Sequence, residues 1–307
     1  MRHLAYCFNL KPHILLVIRK KIKLNAAFFV SENSTYRKKC FICNDGQKSK
    51  VVAPKNNLKN TILHTLTHQA QLGKKHLAVL VDPDSITNEQ QLVTLCELSN
   101  QAAVDFILVG GSLMTNGFFE TCIQLIKQHT AIPVVLFPGD VMQVSKQADA
   151  ILFLSLISGR NPELLIGKHV VSAPMIKKSG IEVIPTGYML IDGGKTTSVS
   201  YMSNTTPIPA QKVSIAACTA MAGEMLGLKV TYMDAGSGAH QPISTQMIGA
   251  VRAQVAGPIF IGGGIATPQA AVDACLAGAD VVVVGNAFEK NPTLVRDIAA
   301  AIHQLNA

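Results

Sequence analysis

The first 56 residues of this 307-residue chain lack both a long apolar run and an ordered leader pattern. Their longest apolar run, ILLVI at 14–18, is far too short to cross a bilayer. They also lack the successive basic, apolar and small-residue zones of a secretory signal. The sequence therefore predicts neither a membrane anchor nor an export signal in this segment.

Zinc-binding and disulfide patterns are lacking as well. Cys40 and Cys43 form a single CxxC with no second pair nearby, whereas a structural zinc site needs four ligands. The nine histidines show no HxH or HExxH spacing, which disfavours a zinc enzyme. Four further cysteines stand isolated in helical or apolar surroundings: Cys96, Cys122, Cys218 and Cys275. We expect them to be reduced core residues of a cytosolic protein.

Charge is scarce and unevenly distributed. Charged residues make up 15% of the chain and apolar residues 48%, which is a globular composition. Residues 1–56 hold 12 of the 27 Lys and Arg residues and only two acids, so the net charge of +8 comes from this segment. The remaining residues carry no excess of basic residues of the kind that nucleic-acid-binding proteins show. We interpret residues 1–56 as a basic extension outside the fold, either unstructured or due to a start site placed too far upstream. A targeting peptide or a polybasic membrane contact is the weaker alternative.

Eight short apolar runs alternate with helical stretches from residue 58 onward. They are HLAVLVD (76–82), VDFILVGG (104–111), IPVVLFPG (132–139), ADAILFLS (148–155), IEVIPTG (181–187), KVTYMDAG (229–236), GPIFIGGG (257–264) and ADVVVVGN (279–286). Continuous Val- and Ile-rich runs are typical of parallel strands that are buried on both faces. Eight of them predict an α/β fold, a (β/α)₈ TIM-type barrel over residues 57–307. An open doubly wound sheet is the alternative, but the first βα turn, VDPDS, contains no glycine.

Polar residues and glycines follow nearly every predicted strand, at the edge where a barrel places its active site. The loops AGSGA (235–239), GGG (262–264) and Gly285-Asn286 follow strands six, seven and eight. Glycine lets the backbone approach an anion, and helix N-termini supply free N–H donors, so these loops predict a phosphate site. The plainer alternative is that the glycines only form tight turns.

Two carboxylates stand apart from this predicted phosphate site. Asp234 ends strand six, where it would repel a phosphate but could take a proton from a substrate hydroxyl. Asp82 ends strand one and Ser112 follows strand two, and such hard oxygen ligands suit Mg²⁺. The alternative is that Asp84 and Ser112 only cap the elements that follow them.

Seven collinear motifs over residues 58–307 resemble geranylgeranylglyceryl phosphate synthases, and most closely their bacterial branch, the second of the family's two groups. They are HLAVLVDPDS, FILVGGSLMTNG, PVVLFPGD, EVIPTGYMLIDGGKTTSVSYMSNTTPIP, YMDAGSGA, FIGGGI and VVGNAFE. The resemblance implies a modified TIM barrel and a Mg²⁺-dependent prenyltransferase. Such an enzyme joins sn-glycerol 1-phosphate to a polyprenyl diphosphate, usually geranylgeranyl diphosphate, by an ether bond.

The resemblance also implies roles for individual residues. Asp82 and Ser112 match the magnesium ligands. Asp234, the expected catalytic base, stands where many members have glutamate, which shortens its reach by one methylene. The segments that match the glycerol 1-phosphate site contain Tyr232, Met233, Asp234, Ala235, Gly236, Ser237, Gly238, Gly263, Gly264, Gly285 and Asn286. The resemblance suggests a homo-oligomer, with a hexamer as one option.

The long prenyl tail needs an apolar groove, and the Ala- and Met-rich segment 213–227 is one candidate, with an ordinary buried helix as the alternative. The polar loop 188–208 is a candidate lid over the diphosphate. Its cation Lys195 is a candidate diphosphate contact, as are Arg160 and Asn161 after strand four. Two other interpretations remain. One is another phosphate-binding barrel enzyme, such as a sugar-phosphate isomerase or an FMN-dependent enzyme. The other is a non-catalytic barrel that binds phosphate or prenyl groups.

Overall fold

The structure, a computed structural model, describes residues 61–307, so the predicted extension 1–56 and its CxxC lie outside the described residues. Eight parallel strands form a closed barrel in which each strand pairs with the next along the chain and the last pairs with the first. The strands are β1 His76–Val81, β2 Phe106–Val109, β3 Val134–Leu136, β4 Ala150–Leu156, β5 Glu182–Leu190, β6 Val230–Asp234, β7 Ile259–Gly262 and β8 Val281–Val284. The predicted (β/α)₈ barrel is confirmed.

Helices connect most of the strands. They are α1 Ile62–Gln71, α2 Glu89–Gln101, α3 Phe119–His129, α4 Lys168–Ser179, α5 Ser198–Ser203, α6 Val213–Met225, α7 Thr245–Arg252, α8 Pro268–Ala277, α9 Asn286–Lys290 and α10 Leu294–Gln304. Thr267 caps α8 by accepting the Ala270 N–H at 3.2 Å, and proline follows the cap, where its missing N–H costs nothing. Within residues 61–307, no helix has the length and apolar character needed to cross a membrane.

The side chains of alternate residues in each strand pack into two separate apolar layers. Val79, Ile107 and Ile261 belong to the layer between the barrel and its helices. Leu108 and Tyr232 belong to the layer inside the barrel. Because both faces of every strand are buried, the strands read as unbroken apolar runs. Cys96, Cys122 and Cys275 are buried as predicted, but Cys218 is exposed on α6, so the core prediction was wrong there.

The wall of the barrel is incomplete between β3 and β4. β3 has only three residues, and it pairs with β4 only at Ala150 and Ile151. The next five residues of β4, up to Leu156, pair with β5 alone. No helix forms in the connection 137–149. The barrel therefore has a slot above Ile151, which we call the β3–β4 slot, and nothing helical covers it from within this connection.

Strand β5 is longer than the sequence analysis predicted. It runs to Leu190 instead of ending at Gly187, so the first three residues of the predicted loop 188–208 are strand. The remainder of that loop carries α5, and a bridge between Ile191 and Ile208 closes its base. As a consequence Tyr188 lies inside the barrel beside Tyr232, its partner in the strand register.

Candidate active site

A cavity of about 680 Å³ opens at the carboxyl end of the barrel. Most of the predicted site residues line it: Asp82, Ser112, Tyr232, Asp234, Ser237, Gly238, Gly263, Gly264, Gly285 and Asn286. Met233 and Ala235 do not, because alternate strand residues face outward and these two pack in the outer apolar layer. The strand ends thus bring together residues up to 204 positions apart, such as Ser85 and Glu289.

Asp234 is held by two hydrogen bonds at the end of β6. The Tyr188 hydroxyl donates to its Oδ2 at 2.6 Å, and the Gly236 N–H donates to its Oδ1 at 2.7 Å. Burial raises the pKa of Asp234 above its ordinary value, and the two hydrogen bonds oppose that rise. Each carboxylate oxygen still has a free lone pair. The group can therefore accept a proton from a hydroxyl in the cavity, and its raised pKa makes it a stronger base.

Tyr188 is one residue of this site that the sequence analysis missed, because it was assigned to a loop. Burial, followed by the neighbouring Asp234 carboxylate, raises the pKa of Tyr188 well above its usual value. Tyr188 therefore keeps its proton and acts as a donor that orients Asp234. The apolar run YMLI after Gly187 continues the strand and was the signal that could have revealed it.

Tyr232, which the sequence analysis expected to contact the phosphate, forms part of the barrel interior. Its ring stacks on Phe137 with the centroids 4.9 Å apart. Its hydroxyl lies so close to Gly262 that a Cβ there would come within 2.7 Å of it. Burial, then the charge of Asp234, raises the pKa of Tyr232 well above its usual value, so this hydroxyl also stays protonated.

The loops after β6, β7 and β8 lie against one another. Gly263 has a φ of +82°, and a Cβ on it would lie 2.7 Å from the Gly236 nitrogen, so only glycine fits there. Ser237 Oγ donates to Asn286 Oδ1 at 2.6 Å, which ties the β6 loop to the β8 loop. These are the three loops in which the sequence predicts a phosphate site. We call them the anion loops.

Three predicted diphosphate contacts lie outside the residues that line the cavity. Lys195 is exposed and its Nζ would be 3.1 Å from a Cβ on Gly238, which places it beside an anion loop. The Arg160 guanidinium donates to the Gly159 carbonyl at 2.8 Å. Asn161 Nδ2 donates to the Ser203 carbonyl at 3.2 Å and so ties the β4 loop to α5. The contacts of Arg160 and Asn161 support loop structure.

Asp82 directly follows β1, three strands around the barrel from β6, which carries Asp234. Its carboxylate packs so closely on Gly111 that a Cβ there would lie 2.7 Å from Oδ1, and this contact brings the ends of β1 and β2 together. Burial raises the pKa of Asp82, a hydrogen bond from the Asp84 N–H opposes the rise, and the Glu289 and Asp84 carboxylates add to it. The predicted capping role of Asp84 was wrong: Asp82 caps this turn, and Asp84 accepts from the Thr115 N–H and Oγ1 of the loop after β2, both at 2.7 Å.

The donor set around Asp82 fits Mg²⁺. A half-buried carboxylate near a second carboxylate is stabilised by a cation, and the Asp82 carboxylate and the Ser112 hydroxyl are hard oxygen ligands that both line the cavity. Among residues 61–307, no three His, Cys, Asp or Glu side chains cluster as a metal site. Such a sparse set suits an ion that keeps waters and binds substrate phosphates.

An apolar groove leaves the cavity through the β3–β4 slot. It passes between the outer face of β4 and helix α4, and Ile151, Phe153 and Ile176 line it. His169 also lines it, and its ring packs edge-on against Phe153 with the two centroids 4.5 Å apart. Burial lowers the pKa of His169, so the imidazole is neutral near pH 7. No residue of 213–227 lines the cavity, so the predicted location of the groove was wrong.

The closed barrel, with its cavity at the carboxyl ends of the strands, has the architecture of a (β/α)₈ enzyme. The PcrB family model matches residues 69–303. The geranylgeranylglyceryl phosphate synthase of Chitinophaga pinensis is 54% identical over 246 residues, which are 80% of this chain and 97% of the relative. That of Thermococcus kodakarensis is 41% identical over 76% of this chain and 92% of the relative.

A solved structure agrees with these relatives. The crystal structure of (S)-3-O-geranylgeranylglyceryl phosphate synthase from Thermoplasma acidophilum, in complex with sn-glycerol 1-phosphate, has a TM-score of 0.75 and 30% identity. The match covers 80% of this chain and 99% of that one. This chain belongs to the geranylgeranylglyceryl phosphate synthase family, also described as the PcrB family, and the predicted resemblance is confirmed. It is accordingly an enzyme of the prenyltransferase class.

Proposed function

We propose that this chain joins the 3-hydroxyl of sn-glycerol 1-phosphate to geranylgeranyl diphosphate, or a longer homologue, and releases diphosphate. The observation that carries the proposal is one cavity with three distinct parts. It has the anion loops after β6, β7 and β8, the Asp82 and Ser112 side chains after the next two strands, β1 and β2, and an apolar groove that leaves through the β3–β4 slot. A phosphate, a diphosphate and a prenyl tail each match one part.

The residues divide the chemistry between them. The anion loops hold the glycerol phosphate, with Lys195 beside Gly238 adding a positive charge. Asp234 then takes the proton of the 3-hydroxyl as its oxygen bonds to the prenyl carbon, while Tyr188 keeps the carboxylate in place. Asp82 and Ser112 would hold Mg²⁺, which neutralises the departing diphosphate.

The reaction itself is the direct test. Purified protein is incubated with sn-glycerol 1-phosphate, Mg²⁺ and geranylgeranyl diphosphate, and the ether lipid phosphate is extracted and identified by mass. sn-Glycerol 3-phosphate serves as the matched control substrate and should react much more slowly. Absence of product above a blank without enzyme would refute the proposal. A yellow protein with a flavin spectrum would favour the FMN-dependent rival, and interconversion of sugar phosphates would favour an isomerase.

Narrowing the groove should change which prenyl diphosphate reacts. Ser172 is buried on α4 and lines the groove, so Ser172→Phe places a ring in the path of the tail. We expect the preference for a C20 over a C10 diphosphate, measured as the ratio of kcat/KM, to fall by about tenfold or more. Lys177→Phe on the exposed face of the same helix is the control. An unchanged preference in a variant that melts normally would place the tail elsewhere.

The barrel should function without the N-terminal segment. The described residues contain all eight strands, and the family model matches only residues 69–303. We therefore expect a chain that lacks residues 1–56 to keep kcat/KM within about twofold and its melting temperature within a few degrees. The measurements are the same product assay and thermal unfolding. An insoluble or inactive truncated chain would show that the segment is needed.

A homo-oligomer, with a hexamer as one option, and a cytosolic location remain parts of the proposal. Ile166, Val170 and Val171 form an exposed apolar strip on and before α4, of the kind that a second copy could cover.

The buried cysteines bear on the proposed cytosolic location. Burial raises the pKa of the Cys96 thiol to about 11 and that of Cys122 to about 12, so both stay protonated thiols. Such inert thiols suit a reducing compartment.

A further inference from the structure

Glu289 connects the two sides of the site, although the sequence analysis assigned it no role. It lies on α9 and lines the cavity. Its Oε1 accepts from Ser85 Oγ at 2.8 Å, and Ser85 belongs to the short turn that follows Asp82. Its Oε2 accepts from Asn286 Nδ2 at 3.4 Å, and Asn286 belongs to an anion loop. One carboxylate thus contacts both the predicted metal side and the predicted phosphate side.

The chemistry of a carboxylate fixes the orientation of Asn286. An ionised carboxylate only accepts hydrogen bonds, so Asn286 must present its NH₂ group to Glu289. Its carbonyl oxygen then faces Ser237, whose hydroxyl donates to it at 2.6 Å. A continuous chain of hydrogen bonds therefore runs from Ser237 through Asn286 and Glu289 to Ser85. The second hydrogen of the Asn286 NH₂ group remains for an anion in the cavity.

The position of Glu289 is electrostatically unfavourable for a site that binds two anions. A half-buried carboxylate in the same cavity repels a phosphate, and removing it should by charge alone strengthen phosphate binding. A group kept at such a position needs a compensating role. Holding the donors of Asn286 and Ser85 supplies one, because charged acceptors make the stronger hydrogen bonds.

We propose that Glu289 is a positioning residue that orients Asn286 toward the glycerol phosphate and fixes the Asp82 turn at the same time. The inference rests on the proposed function, since it names the substrate whose phosphate Asn286 meets. It assigns Glu289 no contact with the reacting atoms. Its effect passes through Asn286 on one side and through Ser85 on the other.

The test measures the dissociation constant of sn-glycerol 1-phosphate by calorimetry in the absence of Mg²⁺. We expect Glu289→Ala to weaken binding about fivefold, the loss of roughly one hydrogen bond, and Glu289→Gln to weaken it less. The expected direction is opposite to the charge effect. Asp297→Asn removes one acid on the exposed surface of α10 and should leave binding unchanged. Normal melting temperatures exclude misfolding as the cause.

A second variant separates the two sides. Ser85→Ala breaks the link from Glu289 to the Asp82 turn, together with the contact of the same hydroxyl with the Asp82 carbonyl, so the glycerol phosphate affinity should persist while the Mg²⁺ concentration for half-maximal turnover rises severalfold. Unchanged or tighter glycerol phosphate binding by both Glu289 variants would overturn the inference, as would an unchanged Mg²⁺ requirement in Ser85→Ala. Wild-type protein that bound no glycerol phosphate would instead refute the proposed function and the inference with it.

Discussion

Replacing Asp234 with asparagine is expected to lower kcat by about 10²- to 10⁴-fold, the usual contribution of a general base. Asparagine keeps the length of the side chain and one oxygen that can accept the Gly236 N–H, so the β6 loop should hold its shape. The dissociation constant of sn-glycerol 1-phosphate should therefore change little. The product assay gives kcat, and calorimetry gives the affinity.

Two further variants and a pH profile sharpen this test. Tyr188→Phe removes the donor to Oδ2 and should reduce kcat less than the loss of Asp234 does. Asp234→Glu restores a carboxylate and should retain activity. Because burial raises the pKa of Asp234, kcat of the wild type should fall as the pH drops through that raised pKa, above the ordinary aspartate range. Undiminished turnover by Asp234→Asn would mean that another group takes the proton.

The pKa of Asp234 also predicts an effect on stability. Its folded pKa is raised, so the folded state binds this proton more tightly than the unfolded chain does. The ionised group therefore disfavours folding, and this cost is present only above its unfolded pKa. Asp234→Asn should accordingly not lower the melting temperature at neutral pH.

Removing the divalent cation is expected to lower turnover about 10³-fold, because a metal typically supplies several kcal/mol of charge stabilisation at a leaving group. Excess EDTA should abolish product formation, and added Mg²⁺ should restore it. Asp82→Asn should need far more Mg²⁺ for half-maximal turnover, since the half-buried carboxylate beside Gly111 is lost. Glycerol phosphate binding should persist, because Asp82 is not part of the anion loops.

Asp84→Asn is the matched control for Asp82. Asp84 accepts hydrogen bonds from Thr115 in the loop after β2, so its loss should cost about 1 kcal/mol of stability and leave the Mg²⁺ requirement nearly unchanged. Full activity in the presence of EDTA, or equal effects of the two substitutions on the Mg²⁺ requirement, would refute the assignment of Asp82 as a metal ligand.

The barrel could be predicted from the sequence because a strand that is buried on both faces has apolar residues at consecutive positions. Val281–Val284, four valines in a row, is an example. The anion loops could be predicted because close backbone contacts require glycine, as at Gly263. Both signals are local. Each depends on a few consecutive residues and on a rule that holds wherever those residues are found.

The features that were missed depend on distant parts of the chain. The β3–β4 slot arises from the pairing of Ala150 and Ile151 with β3, and no run of residues encodes that register. The small residues of α6 predicted a groove, but they let the helix pack closely instead. A Cβ on Gly223 would lie 2.7 Å from Ile157 Cδ1. Glu289 could not be assigned because its partner Ser85 lies 204 residues away.

On the proposed function, the β3–β4 slot would give a prenyl diphosphate a lateral route into the site. If β3 and β4 paired along their whole length, a twenty-carbon chain would have to be threaded end-first through the mouth. Through a side opening the molecule could enter sideways, and the finished ether lipid could leave by the same route. Met142, 78% exposed in the helix-free connection 137–149, lines the same cavity.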